Sequence, residues 1–226
     1  MKKRLLYTLI ALFILIIIGS LYISEGFEGE EPYCVLLTTC VKRKNATPEK
    51  TQELLEIYKR AIDLWLKTDL PIIVVDSSDY KFKEYSDTRL KVCYFLSKET
   101  GSSSIAEAES ILYAMKCNHT RKYKNIIKIT GRYYIDGFED ILNRLGDNDI
   151  YVQHINNPII EWQHSEVFGF NKKHAEDIFR PVLTGLTMEK RLWEVSHSEY
   201  TVGILPKMPN VLKVVRGGDG LLVDPL

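Results

Sequence analysis

The sequence predicts an α/β domain: a mostly parallel sheet with helices on both faces, preceded by an apolar N-terminal segment. Three observations carry this reading. Short continuous apolar runs such as "PIIVVD" and "NIIKIT" mark strands buried on both faces. They alternate with stretches of helical period such as "PEKTQELLEIYKRAIDLW", where apolar residues recur every three or four positions. Each apolar run then stops at small polar residues, the usual punctuation between strand and loop.

The elements follow in order. Residues 1–4, "MKKR", are a basic cap, and residues 5–23 are apolar apart from Tyr7, Thr8, Gly19, Ser20 and Tyr22. At about 1.5 Å per residue, roughly 19 residues span the hydrocarbon core as a transmembrane helix. The run is longer than the roughly 7–15 residues of a signal-peptide core, so it reads as a retained signal anchor. A cleaved signal peptide, cut near Gly19-Ser20, is the alternative. Because the basic cap precedes the span, it stays in the cytosol. That makes a single-pass type II membrane protein whose remaining chain faces the ER or Golgi lumen. Residues 24–32, "SEGFEGEEP", form an acidic stem, and residues 33–226 suffice for one α/β domain with a real core.

Within that domain strands are expected at 33–37, 71–75, 90–96, 126–129, 150–154 and 167–170, and helices at 48–66, 105–116 and 138–145. The first helix carries Leu54, Ile57, Tyr58, Ile62 and Trp65 on one side. Ser104 with Glu107 reads as a capping box for the second, and Asp136 with Glu139 as the cap of the third. "TMEKRLWEVSHSEY" is a further amphipathic helix in which Leu192, Trp193 and Val195 read as core. Lys+Arg and Asp+Glu are both 30, and a net charge of zero argues against a general nucleic-acid binder. A lumenal compartment permits disulfides. Cys34, Cys93 and Cys117 nonetheless fall in expected strand or helix interiors, so they and Cys40 are read as free thiols. The triplets Asn45-Ala46-Thr47 and Asn118-His119-Thr120 match the glycosylation sequon and agree with that topology.

The strand ends are the informative feature. They read Thr38-Thr39-Cys40, Asp76-Ser77-Ser78, Ser97-Lys98 and Thr130-Gly131-Arg132. In open α/β sheets ligands bind outside the carboxyl ends of the strands. Hydroxyls, one carboxylate and two cations on that edge suit a phosphorylated ligand. Lys98 also precedes Gly101 and Ser102 to Ser104, which open a helix whose N-terminal amides favour anions.

The segments "VLLTTC", "PIIVVDSSD", "LSKETGSSSIAEAESILYAMK" and "IIKITGRYYI" together resemble GT-A-type glycosyltransferases, a Rossmann-type fold, most closely the small virus- and alga-type members with a K-x-T-G-R-Y segment. The likeness covers roughly residues 33–170. It implies a nucleotide-sugar donor held by Thr38, Thr39, Asp76, Ser77, Lys98, Gly101, Ser102, Thr130, Gly131 and Arg132, and a glycan, protein or lipid acceptor. That family places a metal-holding Asp-x-Asp at the end of the fourth strand, where this chain has Thr130-Gly131-Arg132. Arg132 would take over the metal's electrostatic work on the diphosphate. A divalent cation, manganese or magnesium, stays open as a cofactor. Asp147-Asn148-Asp149 precedes the fifth strand, at the opposite edge, and reads as a solvated turn.

The acceptor half is expected around "PIIEWQHSEVFGF". Transfer with inversion needs a group to take the acceptor proton. Glu166, directly before the buried Val167-Phe168 pair, is the first choice and Glu161 the second. Trp162 and His164 would bind the acceptor sugar. The tail "VVRGGDGLLVDPL" offers Arg216 but reads as a flexible terminus. Two other function classes stand beside the transferase. One is a membrane-tethered interaction module that has lost catalysis. The other is a sugar-phosphate nucleotidyltransferase, disfavoured because "TTCVKRKNATPEK" lacks the glycine-rich first loop it needs.

Overall fold

β-Branched runs too apolar to leave either face in water become the inner strands of one sheet. The computed structural model describes residues 30–98, 101–153 and 161–206. The chain divides into Met1–Glu30 and Glu31–Leu226, and the description below concerns the second unit. The expected cap, anchor and most of the stem, the last residue of the strand expected at 150–154 and the tail with Arg216 lie outside the described residues. Among the described residues no helix is long and apolar enough to cross a membrane.

The strands are β1 (Glu31–Thr39), β2 (Ile72–Asp76), β3 (Leu90–Tyr94), β4 (Tyr123–Thr130), β5 (Ile150–Gln153), β6 (Val167–Asn171) and β7 (Val202–Leu205). They form one sheet in the order β3-β2-β1-β4-β6-β5-β7. β1 runs parallel to β2 and β4, and β2 parallel to β3. β6 is antiparallel to both β4 and β5, and β7 is parallel to β5. The expected mostly parallel sheet is therefore present with one reversed strand. β6 enters the sheet at the edge where β1 to β4 leave it, so the residues just before β6 arrive beside the polar strand ends. Reversal of that strand puts both halves of a site on one edge. β7 was not anticipated: four residues with one half-buried and one exposed position carry too little pattern to be read.

Helix α1 (Pro48–Trp65) begins with Thr47, whose Oγ1 accepts from Lys50 N at 3.3 Å, and with a proline in its first turn. Helix α2 (Ser103–Lys116) is capped by Ser102, whose Oγ accepts from Ile105 N at 3.2 Å. The helix thus starts two residues earlier than expected; the Ser104–Glu107 capping box does not form, and Glu107 is directed elsewhere. In the short α3 (Phe138–Leu142) the cap position belongs to Gly137 at φ +68°, not Asp136, and Glu139 instead accepts from Asp69 N at 2.6 Å. Helices α4 (Ala175–Phe179) and α5 (Met188–Ser196) follow.

Alternation along the strands divides the core between the two faces of the sheet. Val35, Leu37, Ile127 and Ile129 pack with Tyr58, Ile62 and Trp65 of α1 and with Phe138 and Leu142 of α3. Cys34, Leu36, Ile126, Phe168 and Phe170 pack with Ile111 of α2, Phe179 of α4 and Leu192 of α5. Trp65 is fully buried and its Nε1 donates to Tyr133 O at 2.8 Å, which fixes the chain leaving β4 against α1.

At the amino edge, Asp149 is not a solvated turn residue. Its Oδ2 accepts from Thr201 Oγ1 (2.8 Å) and Thr201 N (3.1 Å), and its Oδ1 meets His174 Nε2 (2.8 Å) and Lys173 Nζ (3.3 Å). The Thr201 hydrogen bonds above all, then His174 and Lys173, hold its carboxyl well below the usual carboxylate range. A depressed acid adds stability that is present above its unfolded pKa and is lost as pH falls through the folded one. Asp149→Asn is therefore expected to lower Tm at neutral pH, with the gap to the parent narrowing as pH drops below about 4. A gap that stayed constant down to acid pH would remove Asp149 from the acid response.

Candidate active site at the carboxyl edge of the sheet

The ends of β1, β2 and β4 lie side by side: Thr38 pairs with Thr130, and Thr39 with Asp76. Gly131 N donates to Thr38 O at 2.8 Å. A Cβ on Gly131 would lie 2.5 Å from Thr39 Cγ2 and 2.8 Å from Thr38 O. The glycine is thus demanded by the approach of β4 to β1, an explanation that needs no ligand.

Asp76 is wholly buried and faces inward. Its Oδ2 accepts from Thr39 Oγ1 (2.9 Å) and Val41 N (3.1 Å), and its Oδ1 from Ser78 N (2.8 Å), Ser78 Oγ (2.6 Å) and Tyr80 N (3.0 Å). Five donors fill both oxygens, so Asp76 shapes the loops after β1 and β2 and has no lone pair left for a donor ligand. Ser77 is also turned inward, its N and Oγ both donating to Thr39 O. The Ser102 hydroxyl caps α2, while Lys98 and Gly101 are exposed at the same edge.

Arg132 is half-buried, held between the Tyr133 N to Thr130 O turn (2.9 Å) and the Trp65 anchor on Tyr133 O. Burial pushes the Tyr58 hydroxyl up, while the positive charges of Arg43 and Arg132 pull it back. Both positive charges thus act on the same hydroxyl, which accepts from Cys40 N just beyond β1. Arg43 was missed in the sequence, where "TTCVKRKNATPEK" reads only as a basic loop.

Beneath Arg132 lies a second feature that sequence reasoning left out. Lys128 stands in the apolar run of β4 and is fully buried. Its Nζ pairs with Glu107 of α2, donates to Ser165 O (2.6 Å) and Thr130 Oγ1 (3.0 Å), and lies 5.2 Å from the centre of the Phe168 ring. One ammonium thus joins helix α2, the end of β4 and the entry to β6. Burial pushes the Glu107 carboxyl up, Lys128 draws it down, and the nearby charges of Glu189 and Glu166 push it up again. The signal was present: a lysine in the middle of an otherwise apolar strand needs a buried anion.

The segment before β6 completes the edge. Glu166 is 8% exposed, and its carbonyl accepts from Thr130 N at 2.9 Å. His164 Nδ1 lies 3.6 Å from Glu166 Oε2, and the Trp162 ring meets the His164 ring edge-on, with centroids 4.8 Å apart. Glu161 is exposed and paired with Lys190. Ser165 Oγ donates to Glu189 Oε1 at 2.9 Å, and Gln163 N to Glu189 O at 3.2 Å, which docks the segment on α5. The structure thus brings Glu166, His164 and Trp162 together beside Thr130 and leaves Glu161 on the solvent side. Trp193 is not core filling: it is half-buried, stacked on His197 with Lys190 over its ring.

The residues at the end of β4 do not fit a divalent cation, since an arginine stands where paired carboxylates would be needed. Among the described residues no group of three or more His, Cys, Asp or Glu is placed to hold one.

No family model and no curated protein matches the sequence. Solved structures do resemble the fold. The glycosyltransferase GlyE of Streptococcus pneumoniae TIGR4 superposes with a TM-score of 0.50 at 10% identity, over 77% of this chain and 46% of that one. The chain thus spans less than half the length of GlyE. A protein of Desulfovibrio desulfuricans G20, described as a candidate nucleotide-diphospho-sugar transferase, gives a TM-score of 0.49 at 12% identity, over 77% of this chain and 79% of that one. At such identity the likeness to GlyE establishes a shared fold, in agreement with the GT-A-like mixed sheet.

Proposed function

We propose that residues 33–226 are a glycosyltransferase domain that moves a sugar from a nucleotide-sugar donor to a glycan, glycoprotein or lipid acceptor. In this reading segment 5–23 anchors the domain to a secretory-pathway membrane with residues 25–226 on the lumenal side. The observation that carries the proposal is the meeting of Thr130, at the head of the Thr130-Gly131-Arg132 turn, with Glu166 through one backbone hydrogen bond. A cationic strand end and a carboxylate beside an imidazole then share one edge. Sugar transfer needs both: positive charge for the departing diphosphate, and a proton acceptor for the incoming hydroxyl.

The acceptor oxygen attacks the anomeric carbon as the bond from that carbon to the diphosphate oxygen breaks. Arg132 stabilises the charge that develops on the leaving group. Glu166 takes the proton of the attacking hydroxyl, His164 lies against the carboxylate, and Trp162 offers a ring face to the acceptor sugar. The configuration inverts. The non-catalytic module is the second reading, favoured by the missing carboxylate pair at the end of β4; it predicts binding of nucleotide without turnover.

Thermal shift against a panel of nucleotide sugars, with and without manganese, tests donor binding, and release of free nucleotide tests transfer. Arg132→Ala is expected to weaken donor binding roughly ten- to a hundred-fold in a folded protein, the loss of a charge-assisted hydrogen bond of about 1.5–3 kcal/mol. Arg132→Lys should recover part of it, since an ammonium cannot engage two oxygens in one plane. Unchanged affinity in Arg132→Ala would return this residue to the surface.

A further inference from the structure

Two thiols border the seam between β3 and α2. Cys93 lies in β3 and is 3% exposed; Cys117 follows the last turn of α2 and is half-buried. Cys117 packs against the core cluster that contains Cys93, as Phe95 does. A second contact fixes the same register. Phe95 and Tyr113 stack across the seam with centroids 4.5 Å apart and ring planes 22° from parallel. Phe95 lies two residues beyond Cys93 along an extended chain, and Tyr113 lies four residues before Cys117 along the helix. At about 3.3 Å per strand residue and 1.5 Å per helix residue, both steps advance the chain by roughly 6 Å. Helix and strand therefore run side by side in opposite directions, and the stack sets Cys117 level with Cys93.

We infer that Cys117 and Cys93 form an oxidisable dithiol, with Cys117 the attacking thiol and Cys93 the resolving one. Cys117 is the reachable member of the pair. Its interaction with Cys93 draws its thiol below the ordinary range, whereas Cys117 and then burial push Cys93 up. Burial raises Cys34 and Cys40 as well, so neither competes as a nucleophile.

With glutathione disulfide as oxidant, the Cys117 thiolate attacks one sulfur, the S–S bond breaks, and one glutathione leaves as thiolate. Cys93 then gives up its proton and attacks the Cys117 sulfur of the mixed disulfide, releasing the second glutathione. Two protein thiols are oxidised and one glutathione disulfide is reduced to two glutathiones. The product joins β3 to the end of α2, the same helix that carries Glu107. This inference does not depend on the transferase reading.

The test uses the reduced full-length chain, incubated with glutathione disulfide, alkylated and mapped by mass spectrometry. The parent is expected to show a Cys93–Cys117 cross-link with Cys34 and Cys40 alkylated. Cys93→Ser should trap glutathione on Cys117, and Cys117→Ser should leave Cys93 free of glutathione. Cys93→Ala serves as a second trap if serine disturbs the buried site. Four alkylated cysteines in the parent, a cross-link from Cys93 to Cys34, or glutathione on Cys93 in Cys117→Ser would each overturn the assignment.

Discussion

Lys128→Met is expected to destabilise the domain by about 3–5 kcal/mol, because it leaves the Glu107 carboxylate enclosed without its cation. In a domain of this size that lowers Tm by roughly 10 °C. The chemistry sets the pH dependence. Burial already holds Glu107 above its ordinary range in the parent. Without Lys128, burial and the charges of Glu189 and Glu166 act on Glu107 unopposed, so its folded pKa rises further above the unfolded value near 4.3. An acid with a raised folded pKa contributes stability below the unfolded pKa, and loses it as pH rises through the folded one. The variant should therefore approach the parent toward pH 4 and differ most at neutral pH. Adding Glu107→Gln to Lys128→Met removes the stranded charge and should restore much of the loss at pH 7. An equal deficit in the single and double variants would mean that Lys128 acts through packing on Phe168, not through charge.

Glu166→Gln is expected to depress turnover about a hundred-fold or more while donor binding is kept, as for loss of a general base. The position of Glu166 makes this sharper than a sequence argument could. Its carbonyl is bonded to Thr130, its carboxylate faces His164, and Glu161 is engaged with Lys190 at the surface. Single-turnover rates together with donor titration separate the two effects. Equal turnover in Glu166→Gln with an inactive Glu161→Gln would move the role to Glu161. If neither substitution matters, either transfer proceeds with retention or the domain is not an enzyme.

Much of the fold was legible because it rests on short-range pattern. Apolar runs of the right length made strands, Thr47 and the following proline opened α1 where the period began, and the strand ends fell on one edge because β1 to β4 are parallel. The reading failed where a residue's partner is remote in sequence. Ser102 caps α2 in place of Ser104, and Glu107, free of the cap, meets Lys128, which is 21 positions further along the chain. Asp76 was read as a donor ligand because it sits on the polar carboxyl edge, yet its five hydrogen-bond donors come from the end of β1 and the loops beside it.

The sequence by itself determined the alternation of strand and helix, the polar carboxyl edge, and the presence of Arg132 just beyond β4. These follow from local propensity and from hydrophobic period, which each segment carries within itself. Only the tertiary structure decided that β6 runs backwards, and so that Glu166 and His164 lie beside Thr130. It alone decided that Asp76 is occupied and that Lys128 gathers three elements around one buried charge. The reason is physical. Which strand pairs with which, and which buried ion finds a counter-ion, depends on desolvation and packing summed over the whole core, and no single segment encodes that sum.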